Sequence, residues 1–505
     1  MPEHLRALVV VLALSTIAFL VIRKPAVAMG MARDAFDRRR NLWLATTLAA
    51  FLAPNFWFFA LAVTALLLFS HRAERNPLSL YFFLLFAVPP FAATLGGLGI
   101  VNQLFELSFP RLLSLLVLLP WALKKREPDT PAFGKQLADW LLLCYLVLQL
   151  LQQLTIDSFT NTLRYGLYAC LDVLLPYYVA SRSLKTIADF RDAILSFVIA
   201  ALLMAPIAVF EFLKHWLLYS ALSGALGIRW DAGSYLGRGE TLRAVVTTGH
   251  PIALGFVMMT AIMLHCALRI ATVQPRAWAL GMAALVIGSI ASVSRGPWVG
   301  IAAGIVVFAA TGRQPARRLL KLAVVSALVT AALVVSPWGS TVISYLPFVG
   351  TVDSNNVAYR QRLFEVAMLV ISQNPFFGSP TFMYSTPLQE LRNGNLIDVV
   401  NTYLLVALQS GYVGLSLFVG VFGCAIWAVI ATLRGQHDGQ SEYAMQGRAI
   451  LAALASSLVA IATTSNISVI PIVYWCTAGL AVGYGQRRLS DVAESLPSRF
   501  AVRAS

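Results

Sequence analysis

The sequence predicts an all-α polytopic membrane protein of about 12–15 transmembrane helices, with two large loops on one face. Three observations lead there. Hydrophobic residues fill 58% of the 505 positions and charged residues only 12%, against about 25% charged in soluble domains. Apolar runs recur along almost the whole chain, each near the roughly 20 residues that cross a bilayer. Finally, 27 of the 38 lysines and arginines fall in the short links 23–41, 71–78, 124–136, 181–191, 269–276, 313–321 and 434–448 and in the tail from 486. That clustering is the positive-inside bias, and it assigns these links to the cytoplasm. It also accounts for the net charge of +15 without a polyanionic partner, so no nucleic-acid function follows from it.

Taken in order, the apolar runs place spans near 5–22, 42–70, 78–92, 109–124, 138–153, 163–181, 192–213, 251–271, 278–292, 297–312, 319–336, 411–432, 449–464 and 468–485. Leu5–Ile22 followed by AVA at 26–28 has the outline of a signal peptide, but Arg23 and Lys24 stand between core and cleavage site. That order is wrong for cleavage, so the segment reads as a retained first helix. Pro54-Asn55 interrupts the 42–70 run, which is either one kinked helix or a hairpin of two; keeping the six basic residues of 23–41 cytoplasmic favours the hairpin. The links 93–108, 154–162, 214–250, 293–296, 337–410 and 465–467 then face outward, and those of about 214–250 and 337–410 are long. Residues 1–485 read as one integral membrane domain and 486–505 as a cytoplasmic tail. The five cysteines sit inside apolar runs at no metal-ligand spacing and read as small core residues.

Walker, HExxH, GxSxG and CxxC signatures are missing. The outward charges carry more information. Arg238, Arg243, Arg295, Arg360 and Arg362 exceed what interfacial snorkelling requires. A guanidinium stays protonated and its planar fork suits phosphate oxygens, so convergent arginines at the membrane surface make a site for a lipid pyrophosphate. Each also has a plainer reading, in which it pairs with a nearby acid or lipid headgroup. Arg295 is the hardest to read so, because no acid lies within ten residues of it. In the same stretch Gly296, Gly300 and Gly304 follow the small-xxx-small spacing of tight helix pairs, which would hold the arginine rigidly. Ser292 and Ser294 are placed to hydrogen-bond either the turn or a ligand. For a general base the outward candidates are His250, Asp231, Glu240, Asp353, Glu390 and Asp398; His250 and Asp398 also stand where helix-start residues belong. Glu211, Asp139, Asp172 and Arg164, in or near spans, are either functional or mutually paired.

Four stretches resemble the bacterial O-antigen polymerase and O-antigen ligase superfamily. SVSRGPWVG at 292–300 is similar to its SxSRG segment, and RQRLFEVAMLVISQNPFFG at 360–378 to its Arg-led helix ending in a Pro-x-x-Gly turn. VVNTYLLVALQSGYVGL at 399–415 resembles HNxYL…GxxGL, and TLRAVVTTGHPIALG at 241–255 the stretch before the central helices. The matches keep the family's order over about 238–420, whereas the first 200 residues match only as hydrophobic helices.

This resemblance implies a GT-C-like, metal-independent membrane glycosyltransferase, with no cofactor, in the bacterial inner membrane with its active face and large loops periplasmic. It would transfer a saccharide from an undecaprenyl pyrophosphate carrier to an acceptor hydroxyl: another lipid-linked repeat unit in a polymerase, lipid A-core in a ligase. Membrane lipids surround it, and a chain-length regulator and a flippase are further candidate partners. Carried over by position, Arg295 and Arg243 would hold the pyrophosphate, Arg362 would position donor or acceptor, and Arg238 joins them from the outer loop. Ser294, Asn401 and Tyr403 would support the site, and Asp398 and His250 are the catalytic candidates. One departure matters: the histidine of HNxYL is replaced by Val400, which cannot accept a proton. That favours polymerase over ligase. A transporter or flippase of the same lipid-linked sugars is the third reading; the sequence lacks the inverted repeat and paired interrupted helices that would favour it.

Overall fold

The structure, a computed structural model, describes residues 1–71, 74–97, 103–124, 130–228, 235–238, 241–337, 339, 344, 355–392, 397–436 and 441–486. The expected tail from 487 onward, and the candidate bases Asp231, Glu240 and Asp353, lie outside the described residues. Among those described the chain is mostly helical and polytopic. Six helices are long and apolar enough to cross a membrane: Glu3–Ala28, Leu137–Ile156, Ile187–Lys214, Pro251–Ala271, Thr402–Arg434 and Glu442–Ile461. Shorter apolar helices stand among them at Phe56–Ser70, Phe109–Leu123, Pro275–Ala291, Arg295–Ala310 and Ile470–Gly485. Among the described residues, some of the apolar runs are split by turns or shortened.

The 42–70 run is one such case. It forms two helices, Arg33–Leu52 and Phe56–His71, that pack on each other. Between them Asn55 Oδ1 accepts hydrogen bonds from the Trp57 and Phe58 amides, at 3.0 and 3.1 Å, and so caps the second helix. Two small hairpins depart from the all-α expectation: β1 (Ala92–Gly96) with β2 (Gln103–Ser108), and β3 (Gly237–Arg238) with β4 (Thr241–Leu242), both antiparallel. Strands this short carry too few residues for a period-two pattern, so their pairing is decided by the partner strand.

Helix Pro251–Ala271 lies at the centre. It is buried on nearly every side, as expected of a helix apolar all round, and packs against Ile187–Lys214, Pro275–Ala291, Arg295–Ala310 and Glu442–Ile461. The glycine stripe of Arg295–Ala310 faces the last of these. A Cβ on Gly300 would stand 2.9 Å from the Ser456 carbonyl oxygen and one on Gly304 2.1 Å from Ser456 Oγ. Gly296 would meet Thr463 Oγ1 at 2.7 Å. The stripe therefore serves close packing, and it fixes the end of the helix that carries Arg295.

Several ionisable groups in or near spans are paired. Asp139 bonds Arg182 at 2.5 Å and Tyr177 at 2.9 Å; Asp172 bonds Arg111 at 2.9 Å. Arg39 reaches Glu74 and Asp192 at 2.8 and 2.9 Å and ties its helix to Ile187–Lys214.

Helix Asn355–Gln373 is anchored through a turn. After it, residues 374–378 fold against helix Thr402–Arg434, where the Tyr412 and Val413 amides donate to the Pro375 and Phe376 carbonyls at 2.7 and 3.0 Å. Helix Thr402–Arg434 breaks at Gly411, with φ 61° and ψ −167°, a region open essentially to glycine alone. A Cβ there would lie 2.3 Å from the Phe376 carbonyl oxygen. Gly411→Ala is therefore expected to lose roughly 1–3 kcal/mol to backbone strain alone, and more to the clash. Gly423→Ala, in the same helix with nothing within 4 Å of its Cβ, is the control. Thermal unfolding in detergent should show a lower midpoint for the first variant only.

Candidate functional site

Three linking segments meet where several helices begin. The link 292–294 precedes helix Arg295–Ala310, residues 397–401 precede helix Thr402–Arg434, and residues 462–469 precede helix Ile470–Gly485. Gly296 packs on Thr463 and Thr464, and Thr402 Oγ1 donates to the Thr464 carbonyl at 3.1 Å. Ser468 Oγ donates to the Thr248 carbonyl at 2.5 Å, which brings in residues 243–250 and the start of helix Pro251–Ala271. Helix N-termini carry partial positive charge, so four of them opening on one region favour an anion there.

Arginines bracket the first link. Arg243, only 9% exposed, donates through Nε to the Ser292 carbonyl at 3.3 Å and through Nη2 to Ser294 Oγ at 3.0 Å. Arg238, on β3, donates to the Val293 carbonyl at 2.9 Å. Val293 holds φ 46°, unusual for a β-branched residue, and Arg238 and Arg243 grip the carbonyls on and beside it. Arg295 opens its helix and donates to the Ser344 carbonyl at 3.2 Å. A cation at that position opposes the helix dipole, by roughly 0.3–1 kcal/mol, unless an anion sits nearby. Ser294 and Ser292 are both buried and hydrogen-bond within the turn: Ser294 Oγ donates to the Ser292 carbonyl and Ser292 Oγ to the Ser289 carbonyl.

Arg360 lies on helix Asn355–Gln373. Partial desolvation and the adjacent Arg238 lower its pKa; Asp398 opposes this and Arg295 adds to it. Arg238, Arg295, Arg360 and Asp398 therefore share one electrostatic neighbourhood. Sequence reasoning named Arg360 as outward but assigned the substrate to Arg362. Two residues apart on a helix, the pair point to different sides. Arg362 is exposed.

Asp398 is exposed, and Ser465 Oγ donates to its Oδ1 at 2.5 Å while Tyr359 Oη donates to its backbone carbonyl at 3.1 Å. It is thus held from two elements with its carboxylate accessible. Val400 follows it, and Asn401 caps helix Thr402–Arg434 by accepting from the Tyr403 and Leu404 amides at 2.9 and 3.2 Å. Tyr403 Oη donates to the Leu458 carbonyl at 2.9 Å and braces the helix against Glu442–Ile461. Glu390 is exposed after the short helix Thr386–Gln389.

His250 caps helix Pro251–Ala271: its Nδ1 accepts from the Ile252 amide at 3.2 Å. In the neutral ring Nε2 then carries the proton, so the free edge is a donor. Burial and the Arg243 guanidinium push its pKa down from 6.5 to about 4. The folded state therefore binds this proton less readily than the unfolded chain. The stability it contributes is complete above pH 6.5 and is lost as the pH falls toward about 4. His250→Asn keeps a capping oxygen but cannot titrate; in detergent melts it should lose less stability than the parent between pH 7 and pH 5.

Beneath the site, Glu211 is fully buried, and its carboxylate accepts three backbone hydrogen bonds, from Leu218 at 3.0 Å, Val245 at 2.9 Å and Val246 at 2.8 Å. Val246 has φ 51°, and the carboxylate holds it there next to the arginine-bearing segment.

Compared with known families, residues 280–419 match the family model described as Wzy_C, O-antigen ligase. Arg295, Arg360 and Asp398 fall inside the matched segment, whereas Arg238, Arg243 and His250 precede it. No curated protein matches the chain.

Proposed function

Because the chain carries an O-antigen ligase family domain at residues 280–419, whose members assemble polysaccharide from lipid-linked glycans, we propose that it polymerises undecaprenyl-pyrophosphate-linked repeat units. The product would be an O-antigen or exopolysaccharide, made at the periplasmic face of the bacterial inner membrane. The observation that carries this reading is the neighbourhood of Arg238, Arg295 and Arg360 around the accessible carboxylate of Asp398.

In the proposed reaction the acceptor hydroxyl oxygen bonds to the anomeric carbon of the donor, and the bond from that carbon to the pyrophosphate oxygen breaks. Asp398, steadied by Ser465, accepts the hydroxyl proton. The departing electron pair stays on the carrier pyrophosphate, whose charge meets Arg238, Arg243, Arg295 and Arg360. Fixed guanidiniums do this without a metal ion, and those of Arg238 and Arg243 are already oriented by the Ser292, Val293 and Ser294 contacts. His250 Nε2 supplies a neutral donor beside Arg243.

A ligase is the second reading, and the description of the matched family favours it. A deletion strain separates the two. Loss of a polymerase leaves single repeats, and loss of a ligase leaves long chains on the carrier. The expected result is single repeats. Purified protein should also elongate lipid-linked repeats without ATP, which a flippase does not.

A further inference from the structure

A second cleft lies away from the arginines, and it belongs to elements that the family match does not cover. Hairpin β1–β2 and the facing helices Leu137–Ile156 and Phe159–Ala169 border an open cleft of about 450 Å³, within the roughly 300–1,000 Å³ of small-molecule sites. Its lining is rich in amide, carboxylate and phenol groups, among them Glu106, Gln153, Asp157, Asn161, Arg164 and Tyr168. From this chemistry we infer that the cleft binds a neutral saccharide unit. Identifying that unit as part of the lipid-linked glycan rests on the function proposed above.

The polar groups are held in place before any ligand arrives. Asp157 accepts from the Asn161 side-chain amide at 2.5 Å and from Gln153 at 3.2 Å. Arg164 is engaged by protein oxygens: Nε donates to the Leu104 carbonyl at 2.9 Å, Nη2 to the Gln103 carbonyl and Nη1 to Asn161 Oδ1, both at 2.5 Å. A guanidinium so occupied is a brace rather than a phosphate ligand. The Tyr168 ring is locked by the Glu106 amide, which donates to its hydroxyl at 2.6 Å, and by the Arg111 guanidinium 3.7 Å above the ring. Oriented acceptors beside a fixed aromatic ring match sugar hydroxyls and the apolar face of a pyranose, with little ordering left to accomplish on binding.

The cleft is also tied to the family-matched segment. Gln152, next to Gln153, donates to the Phe377 and Gln409 carbonyls at 2.5 and 3.1 Å and accepts from Ser410 Oγ at 2.7 Å. One wall of the cleft is therefore tied to the turn that anchors the Arg360 helix.

The test uses the full-length protein in detergent and one repeat unit of the host polysaccharide, freed from its carrier by mild acid, with binding read by saturation-transfer NMR and titration. Thr94→Trp fills the cleft from an exposed position on β1 without removing a side-chain partner; Asn161→Ala removes a lining amide. Each should weaken binding at least tenfold, while Arg295→Ala retains it, since the free sugar lacks the pyrophosphate. Wild-type protein that does not bind, unchanged binding in folded Thr94→Trp, or loss in Arg295→Ala alone overturns the inference. Cleft-dependent binding without any elongation activity leaves the cleft standing and removes the polymerase reading. Elongation with binding indifferent to both cleft variants does the reverse.

Discussion

Arg295→Ala is expected to abolish high-molecular-mass polysaccharide in a host that lacks its own copy, while the protein still inserts and accumulates. Removing one preorganised donor from developing negative charge typically lowers kcat by about 10²–10³. A polymer built by many successive transfers magnifies that loss into a collapse of chain length. The arginine opens helix Arg295–Ala310 and donates to the Ser344 carbonyl, while the glycine stripe beyond it carries the packing of that helix. Protein level should therefore hold as activity disappears. Gel profiles of extracted polysaccharide, with immunoblots for protein level, read both quantities. Near-normal chain length in this variant would sink the assigned role. Arg360→Ala should follow Arg295→Ala, and Arg362→Ala should have the smaller effect, because it points to another side of the same helix.

Glu211→Ala should be the most destabilising single change near the site. It strips a fully buried carboxylate from the amides of Leu218, Val245 and Val246. Each buried donor left without a partner costs about 1–3 kcal/mol, so the total takes up much of a domain's usual margin. Val246, held at φ 51°, would also lose what keeps it there, and Arg243 lies only three residues away. Glu211→Gln keeps one accepting oxygen but turns an NH2 group toward the remaining amides, and should fall between the two. Thermal unfolding in detergent checks the order; an Ala variant that melts with the parent refutes the bracing role.

How much of this was legible in advance depended on the range of the interactions involved. Arg295 stood out because a permanent charge in a long apolar run has few physical explanations, and its glycines at four-residue spacing foretold the tight helix pair. The ordered SxSRG, Arg-led and N-x-Y segments carried the family resemblance, and the family match covers three of the four stretches, at least in part. His250 was readable as a helix-start residue from position alone and caps its helix, whereas the cap expected at Asp398 falls on Asn401.

Composition, hydropathy and the distribution of basic residues by themselves determined that this chain is a polytopic membrane protein with an arginine-rich face. Those properties are sums over local residues, and a one-dimensional string preserves them. Only the tertiary structure brought Arg360 into the neighbourhood of Arg238, Arg295 and Asp398. It alone showed that Glu211 serves backbone amides instead of another side chain, and that a β-hairpin borders a second polar cleft. Each of these depends on which face of one element meets another far along the chain, a relation set by packing and absent from local residue pattern.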